Sequence, residues 1–249
     1  MVATISVETP LPKVSAASVE SRKVQALLVV LSVTAGCTDI ISFLGLDGLF
    51  TAHITGNLVI LAAHFFSGES QLAPMLSVPI FIVTIWLTRM LATSLEERGW
   101  ASLRPLLLLQ FLLLAGFLVL CVAAAPRIDP KGTVEIVAGM LGVAAMAVQN
   151  ALVQISLKGA PPTAAMTSNI TLFANSVGEM LVGGDPADVA EARKRAARTL
   201  SPILGFAIGC GLGAAYETAI GLRALVLPTG LALLAFVMGF AIAPDARPR

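Results

Sequence analysis

Thr51-Ala52-His53-Ile54-Thr55-Gly56-Asn57-Leu58 is written a second time, 112 residues on, as Thr163-Ala164-Ala165-Met166-Thr167-Ser168-Asn169-Ile170. Thr51, Ala52, Thr55 and Asn57 return as Thr163, Ala164, Thr167 and Asn169. Gly56 becomes Ser168, and the apolar Ile54 and Leu58 become Met166 and Ile170. Both copies set hydroxyls and an asparagine beside short apolar runs, where an unpaired polar group costs free energy. The pairing reads as an internal two-fold repeat with a polar centre. Its first half covers residues 24–125 and its second half residues 126–243.

The surroundings of the motif decide the solvent. Hydrophobic residues make up 57% of the 249 and charged residues 12%, with a mean hydropathy of +0.88. That composition belongs to an all-α integral membrane protein whose first partner is the lipid bilayer. A net charge of +1 and the lack of a basic domain give no reason to expect nucleic acid. Cys37, Cys121 and Cys210 are odd in number and lie in apolar runs, which speaks against a disulfide framework. Two histidines, His53 and His64, do not make a metal site, and no cofactor-binding motif is present.

Outward from the motif, six runs are long enough to cross about 30 Å of hydrocarbon at about 1.5 Å per residue. They are Val24 to Leu46, Leu72 to Leu91, Pro105 to Ala125, Thr133 to Leu157, Pro202 to Ala219 and Leu222 to Ala243. Two shorter runs, Ile54 to Phe66 and Ile170 to Val182, follow the two motif copies and read as short helices that either re-enter or cross. Asp185-Pro186 supplies an N-cap and first turn for a charged helix over 185–198 carrying Arg193, Lys194, Arg195 and Arg198. Residues 1–23 and 244–249 read as polar tails, the first a disordered tail with no cleaved signal.

Charge separates two threadings. With both short runs re-entrant, one side holds 13 of the 16 Lys and Arg residues, whereas eight crossings would leave 11 on the inner side. The positive-inside bias favours six spans, with both termini cytoplasmic. Three crossings per half then invert the second copy relative to the first. Asn57 and Asn169 would approach the bilayer midplane from opposite faces, as broken helices do in channels and transporters.

Asp39 is the acid deep within a full-length span, where a carboxylate costs about 2.5 kcal/mol or more unless compensated. It is therefore a functional candidate, with capping of a broken helix or locking of packing by hydrogen bonds as the competing account. Ser32, Gly36, Asp39 and Phe43 share a helical face, so small residues let a neighbouring backbone come close to the acid. Gln149, Asn150 and Gln154 bring amides into the fourth long run. Asn150 stands 112 residues after Thr38, and Ala151 the same distance after Asp39. The halves thus differ in charge. Glu179 reads as loop-facing, and His53 and His64 as making local hydrogen bonds. Gly205, Gly209 and Gly213 form a small-residue stripe for close helix packing, with Gly36 as its counterpart on the first span. The stripe's partner lies either within the chain or in a homo-oligomer.

Ala35-Gly36-Cys37-Thr38-Asp39, followed by Phe50 and Thr55-Gly56-Asn57, resembles the YoaK-like family of bacterial multi-pass membrane proteins, whose shared domain has no assigned function. The resemblance runs from about Arg22 to Ala243 and rests on a Gly-x-x-Asp in the first helix and a Thr-Gly-Asn after it. It implies a bacterial inner membrane location and supplies no substrate or catalytic residue.

From the residues themselves, the chain is expected to be a small-solute transporter or channel-like carrier. Its substrate or ion site would comprise Asp39, Thr38, Thr55, Asn57, Asn150, Thr167 and Asn169. The alternative is a non-transporting scaffold or sensor acting through the basic helix over 185–198. No nucleophile and base pair stands out, so an enzyme is not expected.

Overall fold

A computed structural model of the protein describes residues 16–67, 72–124 and 132–242. The expected tails over 1–15 and 244–249 lie outside the described residues, as does the turn at Gly68-Glu69. Among the described residues there is no strand. Eight α-helices follow one another: α1 (Ala16–Gly45), α2 (Ile54–Ser67), α3 (Leu72–Glu97), α4 (Leu103–Ala124), α5 (Thr133–Ser156), α6 (Met166–Val182), α7 (Pro186–Ile220) and α8 (Val226–Met238). A 3-10 turn at Gly221–Leu225 joins the last two.

Five helical stretches are long and apolar enough to cross a membrane, the last being the continuous run Pro186–Met238 of 53 residues. Large apolar side chains point outward along them, including Ile82, Trp86, Leu112, Val119 and Ile208, and along the short α2 and α6, as at Phe66 and Val182. Such a surface suits lipid rather than water, and the chain is built as a multi-pass membrane protein.

Several element boundaries differ from the sequence expectation. Residues 16–23 belong to α1 and not to a tail. The charged segment over 185–198 and the span expected to begin at Pro202 are one helix, α7, of 35 residues. Pro202 lacks an N–H and forfeits one intrahelical bond, yet it is buried, so packing holds the helix together through it. Gly221 takes a left-handed φ of 63° and ends α7, and the last span expected over Leu222 to Ala243 opens with the 3-10 turn and continues as α8, which has 13 residues and ends at Met238.

The packing order places the functional region. α1 lies against α7 and α8, while α5 lies against α3 and α4; α4 meets α8, and the short α2 and α6 rest on α3 and α7 respectively. α1 therefore packs on the last two helices of the chain, and α5 on the two helices that precede it. The glycine stripe is what lets α1 approach α7. A Cβ built at Gly209 would stand 2.4 Å from the Val33 carbonyl oxygen, and one at Gly36 would stand 2.3 Å from that of Phe206. Gly213 likewise faces Cys37, and Gly205 faces Val29 and Ser32. The stripe's partner is thus α1 of the same chain. Close backbone approach of this kind is how apolar helices associate where burial from water drives nothing.

Candidate functional site

The site begins where α1 ends. After Gly45, Asp47 (φ 53°) and Gly48 (φ 85°) take left-handed conformations that turn the chain back on itself. Leu49 to His53 then runs beside the last turns of α1 before α2 starts. This brings the backbone of Thr51, Ala52 and His53 to Asp39.

Asp39 is 3% exposed, and its carboxylate is satisfied by this segment. Oδ1 accepts the N–H groups of Thr51 at 2.8 Å and Ala52 at 2.7 Å, with the Thr51 hydroxyl and the His53 N–H at 3.4 Å. Convergent backbone donors make a concave anion nest just ahead of the positive end of α2. Oδ2 faces His53 Nδ1 at 2.6 Å. The carboxylate thus does what its competing account required, fixing the start of a broken helix, and it also holds an imidazole. His53 lies in the connection between α1 and α2, and its pKa is raised above the ordinary 6.5, first by its hydrogen bond to Asp39 and further by that carboxylate's charge, against a lowering by burial.

The His53 ring stands edge-on to Phe50, at 5.9 Å between centroids, and to Phe206 of α7, at 5.3 Å. Around it is a cavity of about 410 Å³ bounded by Asp39, Phe50, His53, Thr55, Val59 and Phe206, with Cys210 also on its wall. Nδ1 is committed to Asp39, and Nε2 has no protein partner among the described residues. The cavity therefore combines mostly apolar walls with one polarised imidazole.

The second motif copy keeps one hydrogen bond of the first and lacks its charge. Asn57 donates from Nδ2 to the Phe50 carbonyl at 2.7 Å, and Asn169 donates to the Pro162 carbonyl at 2.7 Å, each seven residues back. Asn57 Oδ1 also accepts the Phe50 N–H at 2.9 Å, and its Nδ2 reaches Ser77 of α3. Pro162 has no N–H to offer, so Asn169 Oδ1 is buried without a partner. Other differences between the copies come in pairs. The Phe50 ring lies against Gly56, where a Cβ would approach it to 2.8 Å; with proline at 162 the second copy has no aromatic ring at that position, and Ser168 is exposed. Asp39 and His53 stand 112 residues before Ala151 and Ala165, so both members of the ion pair are missing together.

Of the seven residues expected to form the site, Asp39 and Thr55 border the cavity. Thr38 is fully buried and donates to Thr34 O of its own helix. Asn57 and Asn169 each clamp the segment before their own short helix and make no bond to each other. Asn150 turns to Met146 O one turn back in α5, and Thr167 is exposed. Within α5 the amide that reaches across to other helices is Gln149 and not Asn150: its Oε1 accepts from Gln110 of α4, while its Nε2 donates to Leu31 O of α1 and to Thr163 Oγ1. Glu179 is tied to Arg195, joining α6 to the start of α7. His53, which the sequence suggests only as a maker of local hydrogen bonds, is the residue whose place in the site was missed. Its 14-residue separation from Asp39 is a same-face spacing only in an unbroken helix, and the turn through Asp47 and Gly48 interrupts α1 before it; the signal that could have found it was the joint replacement of both partners by alanine in the second copy.

A family model described as a protein of unknown function, DUF1275, matches residues 27–238. The chain belongs to the DUF1275 family. No curated protein and no solved structure matches this DUF1275 chain. The family has no stated activity, so function rests on the geometry around Asp39 and His53.

Proposed function

We propose that this DUF1275 protein is a small-solute carrier of the bacterial inner membrane, with the cavity beside Asp39 and His53 as its binding site. The observation that carries the reading is a buried carboxylate paired with an imidazole, bordering a cavity between apolar helices. A charged group inside a membrane helix is costly and is retained where it handles a proton, an ion or a substrate. Thr55 adds a hydroxyl at the same cavity. Taking the run Pro186–Met238 as two passes gives six spans, with α2 and α6 re-entrant and both termini cytoplasmic. The pairwise packing fits a two-fold repeat. Exchanging α1 to α4 with α5 to α8 turns the α1–α7, α1–α8 and α2–α3 contacts into α5–α3, α5–α4 and α6–α7 contacts, all of which occur.

Reconstitution into vesicles loaded with a pH-sensitive dye tests this, with a panel of small anions, cations and neutral solutes supplied outside. Solute-dependent proton or solute flux that His53→Gln abolishes is the expected result. Flux equal to that of protein-free vesicles for every class would reject the carrier. The second reading, a scaffold, is supported by exposed Arg193, Lys194 and Arg198 near the start of α7. It requires that neutralising those three residues, and not altering His53, changes the phenotype of a deletion strain.

A further inference from the structure

The cavity's polar groups are arranged so that one of them is available to a ligand, and it is not the carboxylate. Asp39's side chain is 4% exposed, and both its oxygens are engaged, Oδ1 by Thr51 and Ala52 and Oδ2 by His53. An amine cannot reach it without breaking the turn that starts α2. The His53 side chain, by contrast, is 34% exposed, and its free nitrogen is Nε2. With Asp39 holding Nδ1–H, a protonated ring presents Nε2–H as a charged donor. The imidazole also stands between Asp39 and anything bound at Nε2, so a ligand's negative charge is nearer to the ring than to the carboxylate. The remaining walls are Phe50, Phe206, Val59 and Ile40, with Thr55 contributing a hydroxyl. A volume of about 410 Å³ falls among ordinary small-molecule pockets, which are mostly apolar with a few polar groups fixing orientation.

We propose that the cavity binds a small weak acid with an apolar body, its carboxylate held by His53 Nε2–H and its apolar part lying against Phe50 and Phe206. The inference deepens the carrier reading and rests on it for the ligand's route across the membrane, while the ligand class comes from the geometry alone. The titratable groups facing His53 are Asp39 from α1 and Cys210 from α7; the cavity-lining residues of α2, Thr55, Gly56 and Val59, carry none. Binding should therefore follow the protonation of His53, strengthening as pH falls and weakening as the ring loses its proton.

The test uses purified full-length protein in detergent and fluorine-detected NMR titration with three probes of similar shape: 4-fluorobenzoate, 4-fluorobenzylamine and 4-fluorobenzyl alcohol. The acid is expected to bind best, more tightly at low than at high pH, and His53→Gln should weaken it by about tenfold or more, as loss of a charge-assisted hydrogen bond does. Val59→Trp, which fills the cavity and leaves the Asp39–His53 pair in place, should also abolish binding; this variant carries the test if His53→Gln does not fold. Equal or tighter binding of the amine would overturn the proposal, as would acid binding that neither variant weakens. Vesicle uptake of the same probes separates the two readings. Acid binding without uptake keeps this site and removes the carrier, whereas uptake of the amine but not the acid keeps the carrier and removes the weak-acid site.

Discussion

His53 Nδ1 lies 2.6 Å from Asp39 Oδ2, joining the connection before α2 to the interior of α1. The carboxylate is placed by the long first helix α1, and the imidazole by a turn through two left-handed residues. The imidazole and the Thr51 and Ala52 N–H groups together compensate the burial of the carboxylate.

Removing the carboxylate should therefore leave several donors stranded at once. Asp39→Ala takes the acceptor from the Thr51 and Ala52 N–H groups and from His53, and is expected to cost about 3 kcal/mol, the scale for breaking a buried charged pair. Asp39→Asn keeps an oxygen for the two backbone donors and should cost less. Thermal unfolding in detergent, read by size-exclusion chromatography after heating, checks the order; equal loss from both variants would mean that the backbone nest contributes nothing.

The pH dependence has a definite sign. His53 has a folded pKa raised above 6.5 by Asp39, so the native state binds this proton more tightly than the unfolded chain does. Its stabilising contribution is complete below the unfolded value and is lost as pH rises through the raised folded value. The melting temperature should fall over that window in the native sequence, and the step should be absent in His53→Gln.

Two glycines on α7 should differ sharply in how they tolerate a side chain. Gly209→Ala pushes a Cβ to 2.4 Å from the Val33 carbonyl oxygen of α1. The helices must separate, at about 1–3 kcal/mol. Gly211→Ala meets nothing within 4 Å and should stay within about 0.5 kcal/mol of the parent. Similar losses from both would show that α1 does not seat on this stripe.

The two motif asparagines should behave independently. Asn57 bonds Phe50 twice and Ser77 once, whereas Asn169 bonds the Pro162 carbonyl and otherwise meets only the Met166 sulfur at 3.9 Å. Asn57→Ala should be the more damaging change. In the double variant the effects should add to within about 0.5 kcal/mol, because the residues share no partner. A larger coupling energy would restore the idea of a shared polar centre.

Threading can be read at the loop after α3. Trp100 is 66% exposed, and a cysteine there suits labelling better than one at Gly99, whose φ of +77° strains an L side chain. Cys37 and Cys121 are buried, so Cys210→Ala suffices as background. With six spans, Trp100→Cys should react with a membrane-impermeant thiol reagent only after the membrane is opened. Labelling of intact cells would demand that α2 crosses.

Much of the architecture was legible from composition because a membrane makes a local demand on every residue. Long apolar runs must be helical to satisfy their backbone, so the sequence of helices around Thr51 to Leu58 and Thr163 to Ile170 could be read directly. The Gly205, Gly209 and Gly213 stripe announced close packing in the same way. Where a signal depended on local chemistry alone it misled: Pro202 read as the start of a span, and the structure carries α7 through it because neighbouring side chains bury the proline.

The sequence by itself determined that this is a helical membrane protein with a repeated polar motif and a costly acid at Asp39, since each follows from residue types and their spacing along one chain. Only the tertiary structure decided what those groups meet. It paired Asp39 with His53, gave the stripe α1 as its partner, turned Gln149 rather than Asn150 across to its neighbours, and left Asn169 Oδ1 without the donor that Phe50 gives Asn57. These outcomes depend on a turn at Asp47 and Gly48, on α1 packing against α7 and α8, and on α5 packing against α3 and α4. Such contacts join residues far apart in the chain, and no helical or strand period records them.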